Sequence, residues 1–517
     1  MLCGALVVLI LSSCLGDGIH GLSERQWLDT LSAGNALPLP DGRKPDYRAL
    51  STLGPGSLLF LAYHAEALGD EALRRGFLLE SAKREPGRYG RRAAELLVKD
   101  AEGDATAMLK LLSGPAGKAL SADRRMTLDA KALLDLGRKR EALAMLVETR
   151  KLYGSDGMPG AELLALIVEA GASAGANGWA EEFRLLFSME LAPDIRNPVA
   201  RALSAAEALP APSRDGLEES ELVLARARLL SSTREYGASV RQFKLYSSLP
   251  GIADSMAALI RALPRQAASD AARAFLYGAP DEGAAIWKEL AEDARNARLA
   301  PDAAFHALFW HGRFARNAER WQEAAAAFSQ AAPLASAPAD LDASLWYRVE
   351  CLSRLSTAQA AQALAEALAL SANPSYYGDL VEPLSRAALL ARDGATLATL
   401  ERAAALSGTE KDAARLSYLA ARAAAAGIIR PAHMGGETPE NYQTARLERA
   451  YRQQTDAWYR LLAAFRLGLP LVEPADGPGS PPPQNGEEPE AGRANLAADA
   501  DETALGLPTF GLGHRNR

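Results

Sequence analysis

Residues 301–331 read PDAAFHALFWHGRFARNAERWQEAAAAFSQA, and this stretch decides the fold. Pro301-Asp302 opens a helix, because proline suits the first helical position and an acidic residue suits the first turn. Phe305, Leu308, Phe309, Gly312 and Phe314 follow along one stripe at helical spacing. Arg316–Arg320 makes a polar turn, and Trp321–Ala331 forms a second helix. Gly312 removes a side chain where the two helices would close, while Ala324, Phe328 and Ala331 give the second helix a small, large, small face to fill the gap.

This spacing resembles the tetratricopeptide repeat (TPR), in which a small residue late in the first helix interlocks with a small, an aromatic and a small residue in the second. Weaker copies lie on both sides. Gly56–Leu68 and Asp70–Lys83 predict one hairpin, Met126–Leu136 and Glu141–Leu152 a second with Ala142 at the matching place, and Leu222–Leu230 and Gly237–Leu249 a third. Ala284, Trp287 and Leu290 predict another second helix. After the index stretch, Leu341–Leu355, Ala358–Leu370, Tyr376–Ala391, Thr396–Leu406 and Asp412–Ala425 extend the series, and Thr438-Pro439 starts a last helix running to Leu467. Gly171–Gly178 is either a loop or a tightly packed crossing. Pro210, Pro212, Pro250, Pro264 and Pro280 fall between apolar blocks, where helix boundaries tolerate them. The expected fold is all-α: an α-solenoid or superhelix of degenerate TPR-like hairpins over residues 21–470, since such pairs bury their faces only by stacking.

Composition agrees with a helical array. The chain has 517 residues, and hydrophobic residues make up 48% of it but aromatics only 6%, so the apolar content is mostly Ala and Leu, which favour helices. No Gly/Pro-rich linker divides it before about residue 470. A net charge of -7 argues against a nucleic-acid partner, which needs a concentrated positive field. Lys83, Arg84, Arg88, Arg91 and Arg92 form the densest basic cluster, a candidate contact for anionic headgroups or wall polymers that also reads as a solvated helix end.

The first residues, MLCGALVVLILSSC, are too short an apolar run to span a bilayer and suit a signal peptide over residues 1–14. Leu11-Ser12-Ser13-Cys14 resembles the lipobox of bacterial lipoproteins, which implies a lipidated Cys14 and an exported protein held at the membrane of a bacterial envelope or periplasm; ordinary cleavage, a retained anchor and an apolar start with no targeting role are the alternatives. No Lys or Arg precedes the run. With Cys3 and Cys14 used in that segment, Cys351 has no disulfide partner and reads as a buried small hydrophobe within LWYRVECLSRL. Residues 471–517 contain PGSPPPQNGEEPEAG and are expected to be disordered.

A long Ala-rich helical array closing on Tyr459–Pro470, YRLLAAFRLGLP, resembles the non-catalytic superhelical region of the soluble lytic murein transglycosylases. The resemblance implies a role in peptidoglycan metabolism. In that family a separate catalytic domain carries a Glu-Ser pair followed by a Gly-Leu-Met-Gln-like segment. Glu80-Ser81 and Glu219-Ser220 lack that sequel, so no catalytic residue is expected here. His20, His64, His306, His311, His433 and His514 include no i, i+4 pair for a metal, and no cofactor is expected. Phe309, Trp310, Phe314, Trp321, Trp346 and Tyr347 could stack on sugars but read mainly as repeat core. The expectation is therefore a lipid-anchored scaffold binding peptidoglycan glycan strands or envelope proteins. The alternative is the non-catalytic part of a truncated transglycosylase.

Overall fold

The computed structural model describes residues 54–67, 69–84, 87–153, 160–453 and 457–469. The expected signal segment with Cys14, the basic-poor start of the chain and the tail 471–517 lie outside the described residues. Among those described there are 24 α-helices and no strand. The chain divides into two compact units, Met1–Leu229 and Leu230–Arg517.

The first unit contains α1 (Pro55–Ala67), α2 (Glu71–Arg84), α3 (Arg88–Asp100), α4 (Ala105–Leu112), α5 (Pro115–Ala119), α6 (Ala122–Asp135), α7 (Lys139–Lys151), α8 (Ala161–Ala174), α9 (Trp179–Leu186) and α10 (Arg196–Glu207). The division falls within α11 (Glu219–Ser232). Packing runs between near neighbours in sequence, as in a solenoid: α1 on α2, α2 on α3, α6 on α7 and α7 on α8, while α8 packs on α10 and α4 on α6 across the helix between them. Short α5 interrupts this order by touching α2, α3 and α4, and Gly117 lets it press on the backbone of Leu112 where any Cβ would overlap the carbonyl. The Gly/Ala stretch after residue 170 is both a crossing and a loop. Gly171 belongs to α8, where a Cβ would stand 2.8 Å from the Cβ of Trp179, and Gly175 at φ 64° then ends the helix.

The second unit contains α12 (Tyr236–Ser248), α13 (Met256–Ala262), α14 (Arg265–Gly278), α15 (Pro280–Arg295), α16 (Pro301–Asn317), α17 (Trp321–Ala331), α18 (Pro338–Ser353), α19 (Thr357–Leu370), α20 (Gly378–Leu390), α21 (Gly394–Ser407), α22 (Glu410–Ala425), α23 (Pro439–Arg452) and α24 (Ala457–Leu467). From α15 to α19 every helix packs on the next. Then α21 packs broadly on α19, with α20 touching both more lightly. Pro383 sits inside α20, away from a boundary, and a 3₁₀ turn at Pro374–Tyr377 leads into that helix. The helix expected from Thr438 to Leu467 is two: Gln453 leaves the helical region at ψ 132°, and α24 folds back so that it lies against both α22 and α23. A continuous helix would have carried the small residues Ala463 and Ala464, both buried, out into solvent.

One backbone device makes the hairpins. The middle residue of the turn, two before the second helix begins, is left-handed at Gly69, Gly137, Arg234, Glu319 and Arg392. In each case the next N–H donates to the carbonyl five residues back, as Arg320 does to Ala315 at 2.8 Å and Asp393 does to Ala388 at 2.8 Å. This is the bond that satisfies the orphan carbonyls of a helix end and turns the chain sharply.

Candidate binding site

The index hairpin shows how a repeat closes. A Cβ on Gly312 would lie 2.8 Å from Cε1 of Phe328, closer than real Cβ atoms approach, so only glycine admits the ring. Ala324, Phe328 and Ala331 are all buried. Phe328 stacks on Tyr347 of α18 with centroids 5.2 Å apart and meets Phe309 edge-on at 5.6 Å. Arg313 lies over the Tyr347 ring at 4.5 Å. Trp310, Phe314 and Trp346 are buried as well, in the core reading of these aromatics.

Counted from the first residue of the second helix, the three places of this signature are the third, seventh and tenth residues after it, and the same places recur along the unit. In α15 they hold Gly283, Trp287 and Leu290, all buried, so the small residue there is Gly283 and not the expected Ala284, which is only half-buried. Gly283 makes room for Phe314, whose ring stacks on Trp287 at 5.2 Å. In α19 they hold Ala360, Leu364 and Ala367, again buried. In α21 they hold Leu397, Glu401 and Ala404, which puts a buried carboxylate where its neighbours have Trp, Phe and Leu.

Glu401 is held by the matching places of α23. Arg449 donates to its Oε1 at 2.5 Å, Arg446 approaches Oε2 at 3.6 Å, and the Ser417 hydroxyl donates at 3.3 Å. Arg446 also pairs with Glu437 at 2.6 Å and lies 3.7 Å over the Tyr442 ring. The chemistry of the cluster is that of an internal ion network tying α21, α22 and α23 together.

The other sequence candidates are dispersed. Lys83 and Arg84 pair with Glu80 at 3.8 and 3.3 Å, and Arg92 donates to the Tyr63 hydroxyl at 3.4 Å. Arg88 and Arg91 are exposed at the start of α3 with no ion pair among the described residues. Glu80 is thereby engaged, and the Ser81 hydroxyl donates to the Pro55 carbonyl at 2.9 Å inside the core. Glu219 pairs with Arg214 at 2.5 Å. Cys351 is buried in α18, where burial pushes its thiol up to about 12.

One cavity combines shape and chemistry in a way the sequence did not signal. It has a volume of about 260 Å³ and lies among α13, α14, α15, the Leu299-Ala300 segment and the start of α16. Ile260, Leu263, Ala268, Leu290, Leu299, Ala303 and Ala307 make it mainly apolar, with Arg261, Arg265, Asp302 and His306 as its polar members. His306 is buried at its floor, where burial and then the Arg265 charge lower it to about 3, so it is neutral and shares a hydrogen bond with the Ser269 hydroxyl at 3.0 Å. Both guanidinium groups are already balanced. Arg261 pairs with Glu289 at 3.1 Å and Asp293 at 3.4 Å, and Arg265 pairs with Asp340 at 2.5 Å. Asp302, exposed in the first turn of α16, has no ion pair among the described residues. The rim therefore carries unbalanced negative charge beside an apolar hollow. Such a hollow fits a bulky aliphatic or aromatic side chain.

No protein-family model matches the sequence, and no curated protein matches it. The resemblance to the transglycosylases thus rests on sequence pattern alone. Among solved structures, one described as "Structure of Naa15/Naa10 bound to HypK-THB" aligns over 82% of this chain and spans 64% of that chain's length, at 15% identity. Its TM-score is 0.27, too low to carry an argument about arrangement or partners. The all-helical repeat architecture stands on the helices and hairpins described above.

Proposed function

We infer that the protein is a non-catalytic scaffold that holds partner proteins, and that the cavity between α13 and α16 receives a bulky apolar side chain of a partner segment whose basic neighbour meets Asp302. The observation that carries this reading is the pairing of an apolar hollow with an uncompensated carboxylate at its rim. Protein stands ahead of glycan as the ligand, because of the six aromatics a sugar platform would use, Trp310, Phe314 and Trp346 are buried and Phe309, Trp321 and Tyr347 are half-buried against the core around Phe328. The scaffold acts at the bacterial envelope, anchored through Cys14 and serving cell-wall metabolism; the sequence pattern at Leu11–Cys14 supports the location.

Selection of phage-displayed random peptides on the full chain tests the cavity. Enriched peptides share a large apolar residue beside Lys or Arg, and Ala303→Trp, which fills the hollow, weakens them about tenfold or more. Enrichment no better than on a blank surface, or binding indifferent to that substitution, sinks the reading. For the location, Cys14→Ala abolishes acyl labelling and membrane fractionation, and unchanged fractionation removes it. Pelleting with purified sacculi above a control solenoid would restore glycan to first place.

A further inference from the structure

The cavity between α13 and α16 holds a polar group whose hydrogen-bonding capacity is only half used. Asp302, Ala303, His306 and Ala307 all line it, so they make up the stripe of α16 that faces the hollow, with Asp302 exposed and His306, 8% exposed, one turn further on. The ring of His306 is fixed in place. Its Nε2 shares a hydrogen bond with the Ser269 hydroxyl at 3.0 Å, and Trp310 backs it with ring centroids 6.2 Å apart. Its other nitrogen, Nδ1, has no hydrogen-bond partner among the described residues. An unpaired polar atom beside a mainly apolar hollow costs free energy that a fitting ligand group recovers. The cationic lining is engaged elsewhere: Arg261 pairs with Glu289 and Asp293, and Arg265 pairs with Asp340 and lies 5.6 Å over the Phe305 ring.

Size, depth and tautomer chemistry select the occupant. A hollow of about 260 Å³ falls below the roughly 300–1,000 Å³ of small-molecule sites and takes one side chain. His306 lies one helical turn, about 6 Å, from Asp302, and a tyrosine hydroxyl stands a similar distance from its own Cα. A tyrosine whose backbone passes Asp302 therefore brings its hydroxyl to the level of the imidazole. Burial keeps that imidazole neutral, so one of its nitrogens carries a proton and the other is bare. If the Ser269 hydroxyl donates to Nε2, then Nδ1 carries the proton and donates to the ligand; if Nε2 donates to Ser269, then Nδ1 accepts. A phenol hydroxyl both donates and accepts, so it answers either tautomer. An indole N–H answers only the second, and phenylalanine or leucine answers neither. The walls of Ile260, Leu263, Leu290 and Leu299 suit the ring itself.

We propose that the partner side chain received by this cavity is a tyrosine, with its ring between the apolar walls and its hydroxyl hydrogen-bonded to Nδ1 of His306. This rests on the scaffold reading above, in which a partner segment enters the cavity, and narrows the bulky side chain to one type. The test measures, by calorimetry on the full chain, the binding of synthetic peptides Gly-Ser-Xaa-Lys-Ser-Gly in which Xaa is Tyr, Phe, Trp or Leu. The Tyr peptide binds about tenfold more tightly than the Phe peptide, which leaves Nδ1 unpaired. His306→Leu, with helical circular dichroism unchanged, weakens the Tyr peptide to the level of the Phe peptide and moves the Phe peptide by less than about twofold. Should that variant fail to fold, the comparison of Tyr with Phe on the parent chain decides alone. Phe binding as tightly as Tyr, or a preference for Tyr that survives His306→Leu, overturns the proposal and leaves the scaffold reading standing. Binding by none of the four peptides overturns both.

Discussion

Helices α17 and α21 occupy equivalent places in successive parts of the second unit, yet one fills its central slot with the ring of Phe328 and the other with the carboxylate of Glu401. The backbone fixes the slot, and the facing helix decides what can enter it. The ring requires Gly312, because any Cβ there would strike it. The carboxylate requires Arg446 and Arg449 from the matching places of α23. The aromatic solution is non-directional and draws its stability from buried area. The ionic solution holds little net energy once desolvation is counted, but it tolerates no missing member.

The largest expected effect lies on the aromatic side. Phe328→Ala leaves a cavity among Phe309, Tyr347 and Gly312 and destabilises the second unit by about 3–5 kcal/mol, measured by denaturant unfolding. A loss under about 1 kcal/mol would mean that the slot collapses freely and is no interlock. Close behind, Glu401→Leu leaves two arginines facing an apolar side chain and costs about 3 kcal/mol. Adding Arg446→Met and Arg449→Met recovers most of that loss; if the triple variant is no better than the single one, the cluster contributes more than mutual neutralisation.

A third effect follows pH and is small near neutrality. His306 has a folded pKa lowered to about 3 from an ordinary value of 6.5, so the unfolded chain binds its proton more readily. Its contribution is complete above about pH 6.5 and is lost as pH falls toward 3, at up to about 1.4 kcal/mol per pH unit. His306→Asn flattens that part of the stability profile, and an unchanged slope would place the proton elsewhere. Smallest is Gly312→Ala, where a gain in helix propensity of about 1 kcal/mol opposes a clash costing about 1–3 kcal/mol, for a net loss near 1 kcal/mol. A leucine in place of Phe328, such as Leu364 at the matching place of α19, relieves the clash. Combining Gly312→Ala with Phe328→Leu therefore costs less than the two changes added separately.

Much of this was legible because helices write their spacing into the sequence. Trp321–Ala331 has the expected bounds, and most of the other helices for which the sequence offered bounds begin and end within about a turn of them, whereas α3–α5, α8–α10 and α13–α15 had no expected bounds. What escaped did so for physical reasons. Gly283 was passed over for Ala284 because one-residue register within an Ala-rich helix carries no compositional mark. Glu401 belongs to no apolar pattern, although counting seven places from Gly394 would have found it. The break between α23 and α24 was hidden by apolar periodicity resuming after it, and the cavity draws its lining from five separate segments, which no local pattern can announce.

The left-handed residue in the hairpin turns carries a consequence for how this chain can vary. Three of the five such positions are occupied by Arg234, Glu319 and Arg392, so identity there is nearly free at a strain of about 1 kcal/mol, and glycine would relieve it. Length is not free. One residue inserted between Ala318 and Trp321 would swing the second helix by about 100°, turning Phe328 away from Gly312 and toward water. Substitutions at these turns other than proline and β-branched residues are therefore tolerable, while insertions and deletions there break the interlock, and gaps between related chains should fall between hairpins.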